Sequence, residues 1–248
     1  MTKFTPPKKL SVVVPVRNEQ DNVAPLIAEI DAALKGITHE IIYVNDGSTD
    51  QTQARLQQLQ LSYPQLRIVR HSHSCGQSTA VRTGVKAAKF EWVATLDGDG
   101  QNDPADIPKL IAALEAGVLL VGGNRRLSRR DTWIKRISSV IANTVRAKML
   151  RDDTPDTGCG LKLFNKAAFL DLPYFDHMHR FLPALIKRAG GQIRSVHVSH
   201  RNREFGQSNY GTLDRLMVGI VDLLGVAWLQ RRAKLPVIVD ETANEANK

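Results

Sequence analysis

The sequence predicts an α/β fold in which a mainly parallel sheet is covered by helices on both faces. Two observations predict it. Short apolar runs alternate with segments of helical periodicity through the first half, and those runs are apolar nearly throughout. Alternation at this spacing marks βαβ units. Strands apolar at every position, not every second one, are those buried on both sides.

The first run, Leu10–Val16, is read as a buried strand, and helical spacing follows over 20–35 through Val23, Leu26, Ile27, Ile30 and Leu34. His39–Val44 is read as the second strand and Asp50–Leu61 as the second helix. Leu66–Val69 is the third strand, Gly76–Lys89 the third helix and Glu91–Leu96 the fourth strand. A helix is expected over Pro104–Ala116, with Pro in the first turn where its missing N–H costs nothing. Val118–Val121 is the fifth strand.

The second half is less regular. Residues 131–150 are expected to form an amphipathic helix carrying Trp133, Ile134, Ile137, Ile141, Val145 and Met149. Residues 153–165 are rich in turn formers and end in a short strand, and His177–Ala189 is expected to be helical. Gln192–Ser199 alternates as a strand, 200–212 is a polar basic loop, and Leu213–Arg232 is a long apolar helix. The tail, 236–248, has the composition of a disordered segment.

Composition narrows the function. A hydrophobic content of 42% allows a sizeable core. Cys75 and Cys159 have no metal-type spacing and suit a reduced compartment better than a disulfide scaffold. The first residues lack the apolar core of a signal peptide. Leu216–Leu229 falls short of the roughly 20 apolar residues a bilayer span needs, and Asp222 interrupts it. A soluble or peripheral protein is therefore expected.

Charge is uneven. Residues 1–116 carry 12 Lys/Arg against 13 Asp/Glu, and residues 117–248 carry 22 against 12, so the net +9 arises in the second half. Such a surface suits an anionic partner or is simply a solvated basic face. No nucleic-acid-binding motif accompanies it, so nucleic acid is not expected as a partner.

Three polar turns lie at the ends of the first, second and fourth strands: Pro15-Val16-Arg17-Asn18-Glu19, Asn45-Asp46-Gly47-Ser48-Thr49-Asp50 and Asp97-Gly98-Asp99-Gly100-Gln101. In a parallel sheet these ends share one edge, where open α/β folds bind ligands. Asp97, Asp99 and Gln101 offer only oxygen donors, which suits Mg²⁺ or Mn²⁺ shared with substrate phosphates. They would equally serve as an acidic turn capping the next helix. Asp46 could accept from a base or ribose, or could close an Asx turn. Together the turns point to a nucleotide-diphosphate site.

The same pieces resemble the family 2 glycosyltransferases, which have a GT-A fold, Rossmann-like with a mainly parallel sheet. The nearest subgroup is the polyprenyl-phosphate glycosyltransferases, typified by dolichyl-phosphate mannose synthase and its undecaprenyl-phosphate relatives. Further matches are Gly122-Gly123-Asn124-Arg125-Arg126, Asp156-Thr157-Gly158-Cys159-Gly160-Leu161-Lys162, His179-Arg180-Phe181 and Arg203-Glu204-Phe205-Gly206-Gln207-Ser208-Asn209-Tyr210. The resemblance spans residues 8–232. It implies one catalytic domain over 1–235, with a nucleotide-sugar-binding half at 8–125 and an acceptor-binding half at 126–235.

By this resemblance Pro15, Arg17, Glu19, Val44, Asp46, Asp97 and Gly98 would line the nucleotide pocket, and Asp99 and Gln101 would hold Mg²⁺ or Mn²⁺. Asp97, Asp99, Arg125 and Arg203 would act in catalysis. Arg125, Lys135, Arg136, Ser139, Arg203 and Ser208 would surround an acceptor phosphate. The chain departs from the pattern at Arg17, where an aromatic residue is frequent, at Asn45, where Asp is usual, and at Asn209, where Lys is common. The subgroup's membrane-spanning tail has no counterpart here.

The expected reaction is metal-dependent transfer, with inversion, from a UDP- or GDP-sugar to a polyprenyl phosphate. A phosphate acceptor needs no general base, because its second pKa is about 6. The expected setting is the cytoplasmic face of the cell membrane, held peripherally by an anionic lipid surface, by Trp133 and Trp228, and by a small multi-helix membrane protein. The alternatives are a soluble glycosyltransferase acting on a hydroxyl of a polysaccharide and an inactive subunit of a membrane complex. His179 and Arg180 are read as a structural pair or as acceptor-site residues, and Cys159 as a small packed side chain.

Overall fold

The computed structural model describes residues 5–125, 146–152, 154–203 and 212–236. Seven strands form one sheet: β1 (Lys9–Val16), β2 (Thr38–Asp46), β3 (Leu66–His71), β4 (Trp92–Thr95), β5 (Val118–Asn124), β6 (Lys162–Asn165) and β7 (Gln192–His197). Their order is β3-β2-β1-β4-β6-β5-β7. Every pairing is parallel except the two made by β6, which is antiparallel to both β4 and β5. This is the mainly parallel, two-faced sheet expected.

The helices are α1 (Val23–Ala33), α2 (Thr52–Gln60), α3 (Gln77–Ala87), α4 (Ile107–Ala112), α5 (Lys166–Leu170), α6 (Leu182–Arg188) and α7 (Thr212–Arg231). Successive strand residues point to opposite faces, and the core divides accordingly. Val12, Val14, Ile41 and Tyr43 pack with Leu26, Ile27 and Ile30 of α1 and Leu56 of α2. Val13, Ile42 and Val44 pack on the other face with Val81 and Val85 of α3, Leu182 and Leu185 of α6, and Val226 of α7. Each such side chain contributes about 1.5–3 kcal/mol on burial. A strand loaded on both sides cannot shift by one residue without reversing both sets.

Two expected helices are interrupted. The helix expected at Pro104–Ala116 begins as a 3₁₀ turn over Pro104–Asp106 and becomes α-helical only over Ile107–Ala112. Pro108 has no N–H to give to the Pro104 carbonyl, so no continuous α-helix can form there. Likewise His177–Ala189 divides into a 3₁₀ turn, Met178–Arg180, and α6. Pro183 cannot bond the His179 carbonyl, and His177 has φ +62°.

Of the amphipathic helix expected at 131–150, residues 146–150 are helical and the rest lie outside the described residues, as does 237–248. Among the described residues no helix is long and apolar enough to cross a membrane.

Contact between α3 and the sheet depends on Gly84, where a Cβ would fall 2.4 Å from Val13 Cγ1. Gly84→Ala should therefore destabilise the protein by about 1–3 kcal/mol, in spite of alanine's better helix propensity. Urea unfolding measures this; equal or greater stability of the variant would show that the α3–sheet contact has room to spare.

Candidate active site

Parallel pairing brings the carboxyl ends of β1, β2 and β4 to one edge of the sheet. Val16 lies beside Asn45, and Val13 beside Thr95. Because β6 runs the other way, its first residue, Lys162, lies beside Thr95 at that same edge. The sequence places acidic groups after β4 and a cation at the start of β6, and topology makes them neighbours.

Asp97 follows β4. Its backbone N–H donates to Asn102 Oδ1 at 3.1 Å, and its Oδ1 accepts from Gln77 Nε2, at the start of α3, at 2.7 Å. The carboxylate rests against Gly160: a Cβ there would lie 2.3 Å from Oδ2. Thr95 Oγ1 fastens that segment by donating to the Gly160 carbonyl at 3.0 Å. Burial raises the Asp97 pKa from its ordinary 3.8, and the charge of Asp99 raises it further; Lys162, Arg125 and the Gln77 hydrogen bond oppose the rise.

Lys162 is buried and its Nζ donates to the Cys159 carbonyl. Burial lowers its pKa from 10.5, against the pull of Asp97. Arg125, at the end of β5, is held in a fork by Asp156, with Nε to Oδ2 at 2.8 Å and Nη2 to Oδ1 at 3.0 Å. The backbone N–H of Arg125 donates to Asp156 as well, at 3.1 Å. The segment 156–162 is thus a strap that clamps Arg125 at one end and walls in Asp97 at the other. Cys159 is buried within it, and burial raises its thiol pKa, as befits a packed side chain and not a nucleophile.

Asp99 closes a turn, its Oδ1 accepting from the Gln101 N–H at 3.1 Å. The Gln101 carbonyl accepts from the Arg201 N–H at 3.0 Å. Gly98 is required where it stands, because a Cβ would fall 2.3 Å from Val16 Cγ1. Glu19 pairs with Arg203 and accepts from Asn22 Nδ2 at 2.6 Å. Burial raises its pKa from 4.5, with Asp99 adding to the rise.

Asp46 ends β2 and accepts four hydrogen bonds. Oδ1 takes His71 Nδ1 and the Cys75 N–H, at 2.7 and 2.8 Å; Oδ2 takes Ser74 Oγ and the Gly76 N–H, at 2.8 and 3.0 Å. Burial acts to raise its pKa, but these bonds outweigh it and hold the value below 3.8. Val44 is buried, Pro15 lines a small cavity with Asp97, and Arg17 is exposed.

Of the residues expected at the site, Asp97, Gly98, Asp99, Gln101, Arg125, Glu19, Arg203, Pro15 and Asp46 all lie along this edge. Lys135, Arg136, Ser139 and Ser208 lie outside the described residues. Sequence reasoning missed Gln77, Asp156 and Lys162 as partners. Lys162 had a signal, a lysine set inside the apolar run Leu161–Phe164. Gln77 had none, since it meets Asp97 only through folding. His179 is half-buried, its Nδ1 lies 2.6 Å from Ser78 Oγ, and it lines the same small cavity as Gln77, Asp97 and Lys162. Burial takes its pKa well below 6.5.

Asp97 and Asp46 should respond oppositely to pH. A carboxyl raised on folding costs stability as pH climbs through its unfolded pKa, whereas one lowered on folding contributes stability that is lost as pH falls through its folded pKa. At neutral pH, Asp97→Asn should raise the Tm of the ligand-free protein, and Asp46→Asn should lower it. Both differences should shrink toward about pH 3, where the reference carboxyls are largely protonated. Shifts of the same sign in thermal denaturation would contradict the opposite environments described.

Residues 11–172 match the sequence profile of Glycosyl transferase family 2. The dodecaprenyl-phosphate galacturonate synthase of Rhizobium johnstonii is 35% identical over 234 residues, covering 92% of this chain and 69% of that protein. The undecaprenyl-phosphate 4-deoxy-4-formamido-L-arabinose transferase of Serratia proteamaculans is 32% identical, covering 90% and 69%. In three dimensions, glucosyl-3-phosphoglycerate synthase from Mycobacterium tuberculosis, solved with Mn²⁺, UDP and glucosyl-3-phosphoglycerate, superposes with a TM-score of 0.67 at 21% identity, over 92% of this chain and 81% of that one. The fold is GT-A, and the chain belongs to glycosyltransferase family 2, as a glycosyltransferase.

Proposed function

We propose that this enzyme moves a sugar from a nucleotide-sugar donor, a UDP- or GDP-sugar, to a polyprenyl phosphate, with inversion. The carrying observation is the sheet edge at which a half-buried carboxylate, Asp97, stands beside Asp99 while the charges of Lys162, on β6, and Arg125, just after β5, act on it. Two relatives named for polyprenyl-phosphate products or acceptors, and a structural neighbour solved with UDP and Mn²⁺, support this reading. In it, residues 8–125 bind the donor and residues 126–235 the acceptor.

The donor set suits Mg²⁺ or Mn²⁺. Asp99 and Gln101 present oxygens only, and the charge of Asp99 raises the pKa of Asp97, a repulsion that a divalent cation relieves. Such an ion, when bound, supplies positive charge to the leaving diphosphate. The chain's own residues do the rest. Asp97, fixed by Gln77 and Gly160, orients the nucleotide end of the donor. Arg125, preset by Asp156, faces the developing diphosphate charge from a rigid fork. Arg203 can leave Glu19 for an acceptor phosphate, which is already a competent nucleophile at neutral pH and needs positioning and no base.

α7 supports a membrane-surface setting. Val221, Leu224 and Trp228 are 66%, 58% and 60% exposed, and Arg231 and Arg232 follow. Aromatic and basic residues beside an exposed apolar face suit the interface of an anionic leaflet. In this reading the enzyme sits peripherally on the cytoplasmic face, beside a small multi-helix membrane protein.

Two experiments test the proposal. In a radiolabelled transfer assay with undecaprenyl phosphate, EDTA and Asp99→Ala should each abolish product without unfolding the protein. Full activity in either, or transfer only to a plain hydroxyl, would contradict it. Arg203→Ala should lose on the order of 2–5 kcal/mol of transition-state stabilisation, the range for removing one partner of a buried charge pair, while nucleotide affinity falls far less. Equal losses in both would place Arg203 in the donor site and not the acceptor site.

A further inference from the structure

We propose a second cation site, specific for a zinc-like ion, formed by Asp46, His71 and Cys75 at the end of β2 and separate from the oxygen donors Asp99 and Gln101. One ligand atom from each of the three residues falls within a group whose members lie within 4.8 Å of one another. The set is a carboxylate oxygen, an imidazole nitrogen and a thiol sulfur. That combination is poor for Mg²⁺ and Mn²⁺ and good for Zn²⁺, which is four-coordinate and binds all three donor types. Cys75 is exposed, so an ion can enter, and three protein ligands leave a fourth position for water.

The surroundings have the features of a prepared site. His71 Nε2 lies 3.0 Å from Thr83 Oγ1, which orients the ring and leaves Nδ1 directed at Asp46. An outer hydrogen bond of this kind commonly fixes a metal-bound histidine. Asp46 is steadied by Ser74 Oγ and the Gly76 N–H. The loop carrying Cys75 is packed onto the turn after β2, where a Cβ on Gly47 would fall 2.6 Å from the His73 backbone. The three ligands therefore come from segments already locked together.

The Cys75 thiol releases its proton to solvent and binds as thiolate. A neutral His71 moves its ring proton from Nδ1 to Nε2, where Thr83 Oγ1 accepts it, and Nδ1 becomes the ligand. Asp46 exchanges the His71 hydrogen bond for the ion. An ion here engages Asp46, so it should oppose nucleotide binding; that consequence rests on the proposed function.

The test uses Co²⁺ as a spectroscopic substitute for Zn²⁺, with UDP and Mn²⁺ as the nucleotide probe. Wild-type protein titrated with Co²⁺ should develop a sulfur-to-metal charge-transfer band. Zn²⁺ should displace it, Cys75→Ser should lack it, and Asp99→Asn should retain it. Thr83→Ala should weaken the metal by about 10–100-fold. Micromolar Zn²⁺ should weaken UDP binding in the wild type and leave Cys75→Ser unaffected. Absence of the band, or its persistence in Cys75→Ser, overturns the site. A band with unchanged UDP affinity overturns the inhibitory part. Failure of the metal-free wild type to bind any UDP- or GDP-nucleotide would count against the proposed function alone, since the band reads the site without nucleotide.

Discussion

Asp97 is a carboxylate pressed against the Gly160 backbone at the end of β4, and much of the site is arranged around the cost of burying it. A buried charge needs compensation. Here it comes from Gln77 on α3, from Lys162 on β6 and from Arg125 just after β5. These groups come from both the regular first half and the irregular second half of the chain. β6, antiparallel to both of its neighbours, makes the arrangement possible, because its reversed direction presents a cation where a parallel strand would present its carboxyl end.

The strap from Asp156 to Lys162 converts that electrostatic need into rigidity. Its small residues are placed by contact. Gly158 gives clearance to Arg125, at 3.4 Å from a Cβ to Nη2, and Gly160 gives clearance to Asp97. Its charged ends, Asp156 and Lys162, are each bonded within the protein. Cations held in this way need little reorganisation when charge develops on a bound ligand, which is where most electrostatic catalysis originates. Glu19 and Arg203 form a second charge pair, and the charge of Asp99 acts on Glu19.

The parallel sheet, its two-sided burial and the three strand-end turns were legible because each is a local pattern: Val12, Val13 and Val14 are apolar in succession, and Asp97-Gly98-Asp99 follows directly on a strand. The helix interruptions were less so. Pro108 and Pro183 mark them, yet a proline near a helix start is favourable at one position and disruptive a few residues on. What could not be read were pairings between distant residues. The sequence separation between Gln77 and Asp97 is modest, but that between Glu19 and Arg203 spans most of the chain. Asp46 offered two readings, base acceptor or turn closer. The structure adds a further role, since its four hydrogen bonds anchor the loop from His71 to Gly76.

The electrostatics of the site turn on Asp97, a half-buried carboxylate balanced by Lys162. Carbon-13 NMR titration of the Asp97 carboxyl, in the wild type and in Lys162→Met, measures that balance directly. In the wild type the pKa should lie above its ordinary 3.8, and removing the Lys162 charge should raise it further. An ordinary wild-type value, or one that Lys162→Met leaves unchanged, would contradict the electrostatic arrangement on which this reading of the site depends.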